Sequence, residues 1–311
     1  MSILFYSNDS SADQVLSGLQ AALPDIPIID FQTSSIDQRA SARYAVVWNP
    51  PENFFDDAKA LRAVFSVAAG VDHLLHHPSL PEGVPLARLE NAGMSEKMAE
   101  YVLYGVLHYQ RSMDNYRKAQ LDKQWDKTPR DRHAADIHVG ILGLGAIGGV
   151  VAQRLLNNGY RVSGWSRREK QIDGVQSVYG RDALDSFVDN VDVLVCLLPL
   201  TRDTAGIIDA DILKKLGPSG YLINAARGRH VDPTALIDAL SQGTINGALL
   251  DVTEPEPLPP DHPLWSLPNV LITPHVAAPT QTQASIEQIA ANIRRAENGD
   301  VLSGLVSAAG Y

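Results

Sequence analysis

The sequence predicts an α/β protein with two doubly wound parallel-sheet domains. Short, continuously apolar runs recur along the chain, and segments with helical periodicity separate many of them. Continuous rather than alternating hydrophobicity is typical of strands that are covered on both faces, as in parallel sheets. The runs form two series, one ending at Leu89 and the other starting at Ile137, and each series is large enough for its own domain.

Each series contains enough runs for a complete sheet. Helices are predicted over residues 146–158, 182–189 and 232–242, and a C-terminal helix over 281–300 ends near Gly299. The predicted strands lie at 3–7, 26–31, 44–49, 63–68 and 84–89 in the first series, and within 137–145, 161–166, 191–199, 221–226, 245–252 and 269–275 in the second.

The segment between the two series, residues 95–124, contains no proline and predicts one helix of about eight turns. Its apolar residues, such as Val102, Leu103 and Val106, cover more than one face. A helix that is apolar around much of its girth is buried on more than one side. We therefore predict that it links the domains and packs against a second copy in a homodimer. The alternative is that it lies only beneath its own two domains.

The composition limits the partners and the compartment. The net charge of -10 disfavours nucleic acid and anionic membranes, and the longest apolar run, residues 191–200, is too short to span a bilayer. One cysteine, Cys196, permits no intrachain disulfide, so we predict a cytoplasmic protein with an inert, buried thiol. His73, His76 and His77 have helical spacing that could bind zinc, but we predict solvated side chains and no metal site.

A glycine motif follows the first strand of the second series. Gly143, Gly145 and Gly148 form G-x-G-x-x-G between an apolar strand and a helix that starts with Ala146 and Ile147. The first glycine permits the turn, the second lets a pyrophosphate approach the backbone, and the third lets helix and strand pack closely. This context predicts a dinucleotide site, with the phosphates at the helix N-terminus.

The next strand indicates which dinucleotide binds. NAD sites usually place an acid here to bind the ribose 2'-hydroxyl, but Ser166, Arg167 and Arg168 occupy the place. A hydroxyl donor and two guanidinium groups suit a 2'-phosphate, so we predict NADP, with NADPH preferred over NADH. The alternative is two solvated arginines in a surface loop.

Three charged residues follow separate apolar strands: Arg227 in "NAARGRHV", Glu256 in "LDVTEPEPLPPDHPLW" and His275 in "ITPHVAA". Ligands bind at the carboxyl ends of the strands in open α/β sheets, so these residues are candidates for one cleft. With "VWNPP", "LRAVF", "AAGVD", "GWSR" and the glycine motif, the chain resembles, nearly end to end, the D-isomer-specific 2-hydroxyacid dehydrogenases. It is most similar to their short bacterial glyoxylate/hydroxypyruvate reductase branch.

The resemblance implies a Rossmann NADP-binding domain, residues 97–281, inserted into a flavodoxin-like substrate domain, residues 1–96 and 282–311. It implies that His275 protonates the substrate carbonyl, that Glu256 orients the imidazole and favours its charged form, and that Arg227 binds the 2-oxo acid. Further contacts that it implies are with the substrate at Trp48, Ala68, Ala69 and Gly70, and with the cofactor at Leu198, Pro199, Thr204, Ala225 and Asp251.

The function expected from these residues is NADPH-dependent reduction of small 2-oxo acids, glyoxylate to glycolate and hydroxypyruvate to D-glycerate. Thr253 stands where the family commonly has phenylalanine, so the shape of the substrate pocket is less constrained than its chemistry. One alternative is a D-2-hydroxyacid dehydrogenase for a bulkier 2-oxo acid. The other is a non-catalytic dinucleotide-sensing module, which an intact set of Arg227, Glu256 and His275 disfavours.

Overall fold

The computed structural model describes residues 1–130 and 132–306, and the chain divides into two compact units. One unit combines Met1–Gly93 with the segment that begins at Thr280, and the other is Met94–Pro279. No helix within the described ranges is both long enough and apolar enough to cross a membrane.

The first unit is a six-stranded sheet with helices packed on it. The strand order is β13-β5-β4-β3-β1-β2, and all neighbours are parallel except β13, which is antiparallel to β5. The parallel part has the flavodoxin-like order. The strands are β1 (Ile3–Ser7), β2 (Ile28–Asp30), β3 (Tyr44–Trp48), β4 (Ala63–Ser66), β5 (Leu86–Ala87) and β13 (Leu305–Val306), and the helices are α1 (Ala12–Ala22), α2 (Ile36–Ser41), α3 (Asp72–Leu75) and α10 (Thr282–Asn298).

The second unit is a seven-stranded, fully parallel sheet. Its order, β12-β11-β10-β9-β6-β7-β8, is the Rossmann arrangement with one added strand. The strands are β6 (His138–Leu142), β7 (Arg161–Ser166), β8 (Gln176–Tyr179), β9 (Val193–Cys196), β10 (Tyr221–Asn224), β11 (Gly247–Leu250) and β12 (Val270–Ile272), and the helices are α4 (Met94–Gln110), α5 (Met113–Leu121), α6 (Ala146–Asn157), α7 (Leu184–Val188), α8 (Ala210–Leu216) and α9 (Pro233–Ser241).

The predicted fold class is therefore confirmed, since the chain contains two parallel-sheet units and the Rossmann unit is inserted in mid-chain. The buried strands of this unit carry apolar clusters on both faces, which explains their continuous hydrophobicity. Because all seven strands run in the same direction, their carboxyl ends share one edge of the sheet. The loops that leave this edge carry the candidate site.

The prediction of a single helix over 95–124 is wrong. The chain forms α4 and α5, and Ser112 between them has a left-handed backbone with φ of +51°. The apolar stripe of α4 ends at Tyr109, and α5 buries only Ala119, so no core holds a straight continuation in place. Asp114 in α5 also folds back on His108 of α4, with 2.8 Å between Oδ1 and Nε2.

Candidate active site

The glycine loop has the geometry that its three predicted roles require. Gly143 has φ of +109°, and a Cβ there would lie 2.9 Å from the Leu197 carbonyl oxygen. A Cβ on Gly148 would lie 1.9 Å from the Gly143 carbonyl oxygen, so only glycine permits this approach of α6 to the turn. A Cβ on Gly145 would meet nothing within 4 Å, which leaves open space before the helix N-terminus. The residues present fit a bound pyrophosphate.

The arginine pair lies just beyond β7. Arg167 and Arg168 are exposed, and no side-chain hydrogen bond or ion pair engages either guanidinium within the part of the chain that the structure describes. Ser166 is buried, and its hydroxyl donates to the Arg168 carbonyl oxygen at 2.6 Å. The Ser166 hydroxyl thus already donates its proton within the loop, and it would have to rotate to donate to a phosphate. The two guanidinium groups remain available to a dianion.

The other residues predicted to contact the cofactor leave the same edge of the sheet. Leu198 and Pro199 follow β9, where the Leu197 N–H donates to the Leu142 carbonyl oxygen next to the glycine turn. The Thr204 hydroxyl donates to the Pro199 carbonyl oxygen at 2.7 Å and closes this loop, and Ala225 follows β10. Ala146 and Ile147 form the first turn of α6. Their predicted cofactor contacts stay predictions.

His275 and Glu256 form a directly bonded pair. The imidazole Nδ1 lies 2.7 Å from Glu256 Oε1, and both side chains are close to half exposed. His275 has a left-handed backbone with φ of +56°, and its N–H donates to the Asp251 carbonyl oxygen at 2.8 Å. Because Nδ1 faces the carboxylate, Nε2 is the ring nitrogen left for a substrate.

Arg227 shares this neighbourhood. The hydrogen bond from His275 holds the pKa of Glu256 below its usual range, against the opposing effect of burial, and the charge of Arg227 lowers it further. A Cβ on Gly228 would lie 2.0 Å from the Thr253 carbonyl oxygen, so the loop after β10 and the loop that leads to Glu256 are in backbone contact. The structure therefore brings Arg227, Glu256 and His275 together at one edge of the sheet.

Sequence reasoning did not find two residues that shape this site. Asn224, 1% exposed, ends β10, and its amide donates to the Arg227 carbonyl oxygen at 3.0 Å and accepts from the Ala226 N–H at 3.2 Å. Thr273, after β12, donates to Asp251 Oδ1 at 2.7 Å. In each case the available signal was a polar residue at the end of an apolar strand.

Asp251 is buried and bonded within the protein. It is 2% exposed, and its two oxygens accept from the Thr273 hydroxyl and from the N–H groups of Val276 and Ala277 at 2.7–2.9 Å. The carboxylate thus binds the loop around His275, and its predicted contact with the cofactor stays a prediction.

The residues predicted to bind substrate in the first unit follow two neighbouring strands. Trp48 ends β3 and packs edge-on against His73, with ring centroids 4.9 Å apart. Ala68, Ala69 and Gly70 follow β4, and the Ala68 N–H donates to the Ser66 hydroxyl at 3.1 Å. Among the described residues, no group of three histidine, cysteine or acidic side chains could hold a metal ion.

Comparisons with known proteins all give matches to one family. The family model described as D-isomer specific 2-hydroxyacid dehydrogenase, NAD binding domain, matches residues 103–277. The chain is 44% identical to a glyoxylate/hydroxypyruvate reductase A of Serratia proteamaculans, with 98% of each chain covered.

Two solved structures have the same overall fold. A D-isomer specific 2-hydroxyacid dehydrogenase of Xanthobacter autotrophicus Py2, in complex with NADPH and MES, is 39% identical and superposes with a TM-score of 0.92, covering 99% of this chain and 98% of that one. An NADPH-dependent glyoxylate/hydroxypyruvate reductase of Sinorhizobium meliloti, in complex with NADP and sulfate, is 36% identical with a TM-score of 0.92, and all of both chains is covered.

Replacing Gly148 tests the glycine loop. Gly148→Ala forces the turn and α6 apart because the new Cβ meets a backbone oxygen, so we expect NADPH affinity to fall by about tenfold or more. Gly149→Ala is the matched control, since its Cβ would lie 3.6 Å from Ile172 Cδ1, an ordinary contact. Fluorescence titration with NADPH measures both affinities, and equal values for the two variants would contradict the assignment.

The pH profile tests the Glu256–His275 pair. Because the pKa of Glu256 is lowered, its charge persists through weakly acidic pH and is lost only as pH falls through that lowered value. The charged carboxylate holds the imidazole through Nδ1, so kcat/KM for reduction should decline as pH falls through the lowered pKa of Glu256, and Glu256→Gln should lower kcat/KM and abolish this acid-side decline. Glu254→Gln, which changes an exposed neighbour, should leave the profile in place. A pH profile of kcat/KM that Glu256→Gln leaves unchanged would contradict the role assigned to Glu256.

Proposed function

Because the chain belongs to the D-isomer specific 2-hydroxyacid dehydrogenase family, we propose that it reduces glyoxylate and hydroxypyruvate with NADPH. The similar reductases act on these two acids by name, and the similar structures contain NADPH or NADP. The observation that carries the proposal is the 2.7 Å contact between His275 Nδ1 and Glu256 Oε1, beside Arg227 and at the same sheet edge as the glycine turn.

In this proposal His275 is the proton donor. NADPH, when bound, supplies the hydride that reaches the carbonyl carbon. The Nε2–H of protonated His275 donates to the carbonyl oxygen, so a 2-oxo acid, one hydride and one proton give a 2-hydroxy acid. Glu256 holds the ring through Nδ1 and so directs Nε2 to the carbonyl oxygen.

Arg227 is the proposed anchor for the substrate. Its guanidinium can bind a carboxylate with two parallel hydrogen bonds and polarise the adjacent carbonyl. One guanidinium nitrogen, Nη1, donates to the Ala226 carbonyl oxygen at 2.7 Å, which restricts the side chain. The same loop is fixed by the amide of Asn224. The substrate contacts of Trp48 and of residues 68–70 remain part of the proposal.

We assign the unit Met94–Pro279 as the dinucleotide-binding domain, since it carries the glycine loop, the arginine pair and Asp251. The absence of an acid at the end of β7 and the exposed guanidinium groups of Arg167 and Arg168 favour the phosphorylated cofactor. The single cysteine supports a cytoplasmic location.

We propose that a second copy of the chain contacts the face formed by α4 and α5. This face exposes Tyr104 at 50%, Leu107 at 44%, Met113 at 45% and Leu121 at 73%, and Trp125 follows at 89%. A cluster of large exposed apolar side chains is typical of a protein interface. The continuous helix that first suggested a dimer is broken, and its Val102, Leu103 and Val106 pack in the core of their own unit, so the support for a dimer is now the exposed set on α4 and α5.

The enzyme assay that tests the function is steady-state kinetics of the wild-type protein over a panel of 2-oxo acids, each with NADPH and NADH. The proposal expects the highest kcat/KM for glyoxylate or hydroxypyruvate with NADPH. A clear preference for a bulkier 2-oxo acid would assign the chain to another activity of the family, and no turnover on any acid would remove the catalytic proposal.

Cofactor preference depends on the arginine pair. Arg167→Ala with Arg168→Ala removes two positive charges from the predicted 2'-phosphate site, so the KM for NADPH should rise by about tenfold or more while the KM for NADH changes little. Initial rates with each cofactor measure this. Equal effects on the two KM values would contradict the assignment.

Subunit association depends on the α4–α5 face. Leu107→Glu places a charge on this face and should convert a dimer to a monomer, measured as the mass by light scattering at micromolar concentration. Ile36→Glu alters a more exposed apolar residue on α2, in the other unit, and should leave the dimer intact. A monomeric wild-type protein would contradict the proposal.

A further inference from the structure

A chain of hydrogen bonds runs from helix α4 to the loop that carries His275. Tyr101 on α4 has its hydroxyl 2.6 Å from Thr273 Oγ1. Thr273 Oγ1 lies 2.7 Å from Asp251 Oδ1. Asp251 in turn accepts from the N–H groups of Val276 and Ala277, on the carboxyl side of His275. Three separate segments of the second unit are therefore linked through Thr273 and the buried Asp251 carboxylate.

The donors in this chain have a fixed direction. An ionised Asp251 only accepts, so the Thr273 hydroxyl must give its single proton to Oδ1. The bond between the two hydroxyls then requires Tyr101 to donate to Thr273. Burial raises the pKa of Tyr101, so its hydroxyl keeps its proton and remains a donor. The sequence of donation is Tyr101 to Thr273 to Asp251.

The loop around His275 depends on these bonds because residues 274–276 are exposed, and apolar packing begins only at Ala277, which lies in the core. His275 and Val276 are both exposed, and His275 has a left-handed backbone, which is unfavourable for a residue with a Cβ. The Asp251 backbone carbonyl accepts from the His275 N–H, and the Asp251 carboxylate accepts from the next two N–H groups. One aspartate thus sets the path of the backbone on both sides of the imidazole.

We propose that Tyr101 and Thr273 are positioning residues for His275, acting through Asp251; this rests on the proposed role of His275 as proton donor. Neither side chain needs to touch the substrate. Thr273 fixes Asp251 Oδ1, Tyr101 fixes Thr273, and the loop then holds the imidazole within reach of Glu256. A displacement of a reacting group by about 1 Å is enough to cost roughly a hundredfold in rate.

Thr273→Val is the main test because it keeps the shape of the side chain and removes only the hydroxyl. We expect kcat for glyoxylate to fall by about tenfold or more, with the KM for NADPH changed by less than about threefold. Thr273→Ser restores the hydroxyl and should retain most of kcat. Equal losses in the Val and Ser variants, or no loss in Val, would overturn the proposal.

Tyr101→Phe tests the outer member. It should lower kcat by a smaller factor, about threefold to tenfold, and should have no further effect in the Thr273→Val background, because Tyr101 acts only through Thr273. Tyr160→Phe is the matched control: it removes a hydroxyl that donates to Gln110 Oε1 at 2.6 Å in the same unit, and should leave kcat unchanged. Additive losses from Tyr101→Phe and Thr273→Val would contradict the chain.

A second readout does not depend on turnover. Backbone hydrogen exchange of residues 273–277 in the full-length protein should speed up in Thr273→Val and stay slow in Thr273→Ser. If wild-type protein reduces 2-oxo acids but this exchange and kcat are unchanged in Thr273→Val, the positioning role fails and the proposed function stands. If wild-type protein reduces none, the proposed function fails, and faster exchange would still support the loop anchor alone.

Discussion

The hydrogen bond between His275 Nδ1 and Glu256 Oε1 is the contact on which the proposed chemistry of this protein depends. It directs Nδ1 to a carboxylate whose pKa is lowered, and it leaves Nε2 for the carbonyl oxygen of the proposed substrate. Both side chains are close to half exposed, so solvent weakens their attraction. Orientation is therefore the main contribution of this pair.

The parallel sheet brings the partners together. Asn224, Asp251 and Thr273 occupy the first polar positions after the apolar parts of β10, β11 and β12, and each uses its side chain to fix a loop rather than to face solvent. Asn224 fixes the loop of Arg227, and Asp251 with Thr273 fixes the loop of His275. The strands supply a rigid edge, and these polar side chains fix the loops that leave it.

Some features could be predicted from the sequence because they depend on local patterns. Continuous apolar runs indicated two parallel sheets, and the glycine spacing indicated a turn that the positive φ of Gly143 and the close approach at Gly148 now explain. Edge strand β8 was not predicted because its residues are only partly buried and make no apolar run. The bond from Tyr101 to Thr273 joins distant parts of the chain, which no local pattern records. The break at Ser112 lies where the apolar stripe of α4 ends, and the prediction extended the helix past that end.

The most direct measurement of the central claim is a single-turnover experiment on His275→Gln. The amide keeps a side chain of similar reach but supplies no proton of comparable acidity, so the variant should bind NADPH as the wild type does and oxidise it, on mixing with glyoxylate, more slowly by about a hundredfold or more. Absorbance of the bound nicotinamide follows the reaction. Oxidation at the wild-type rate by His275→Gln would contradict the assignment of the proton donor.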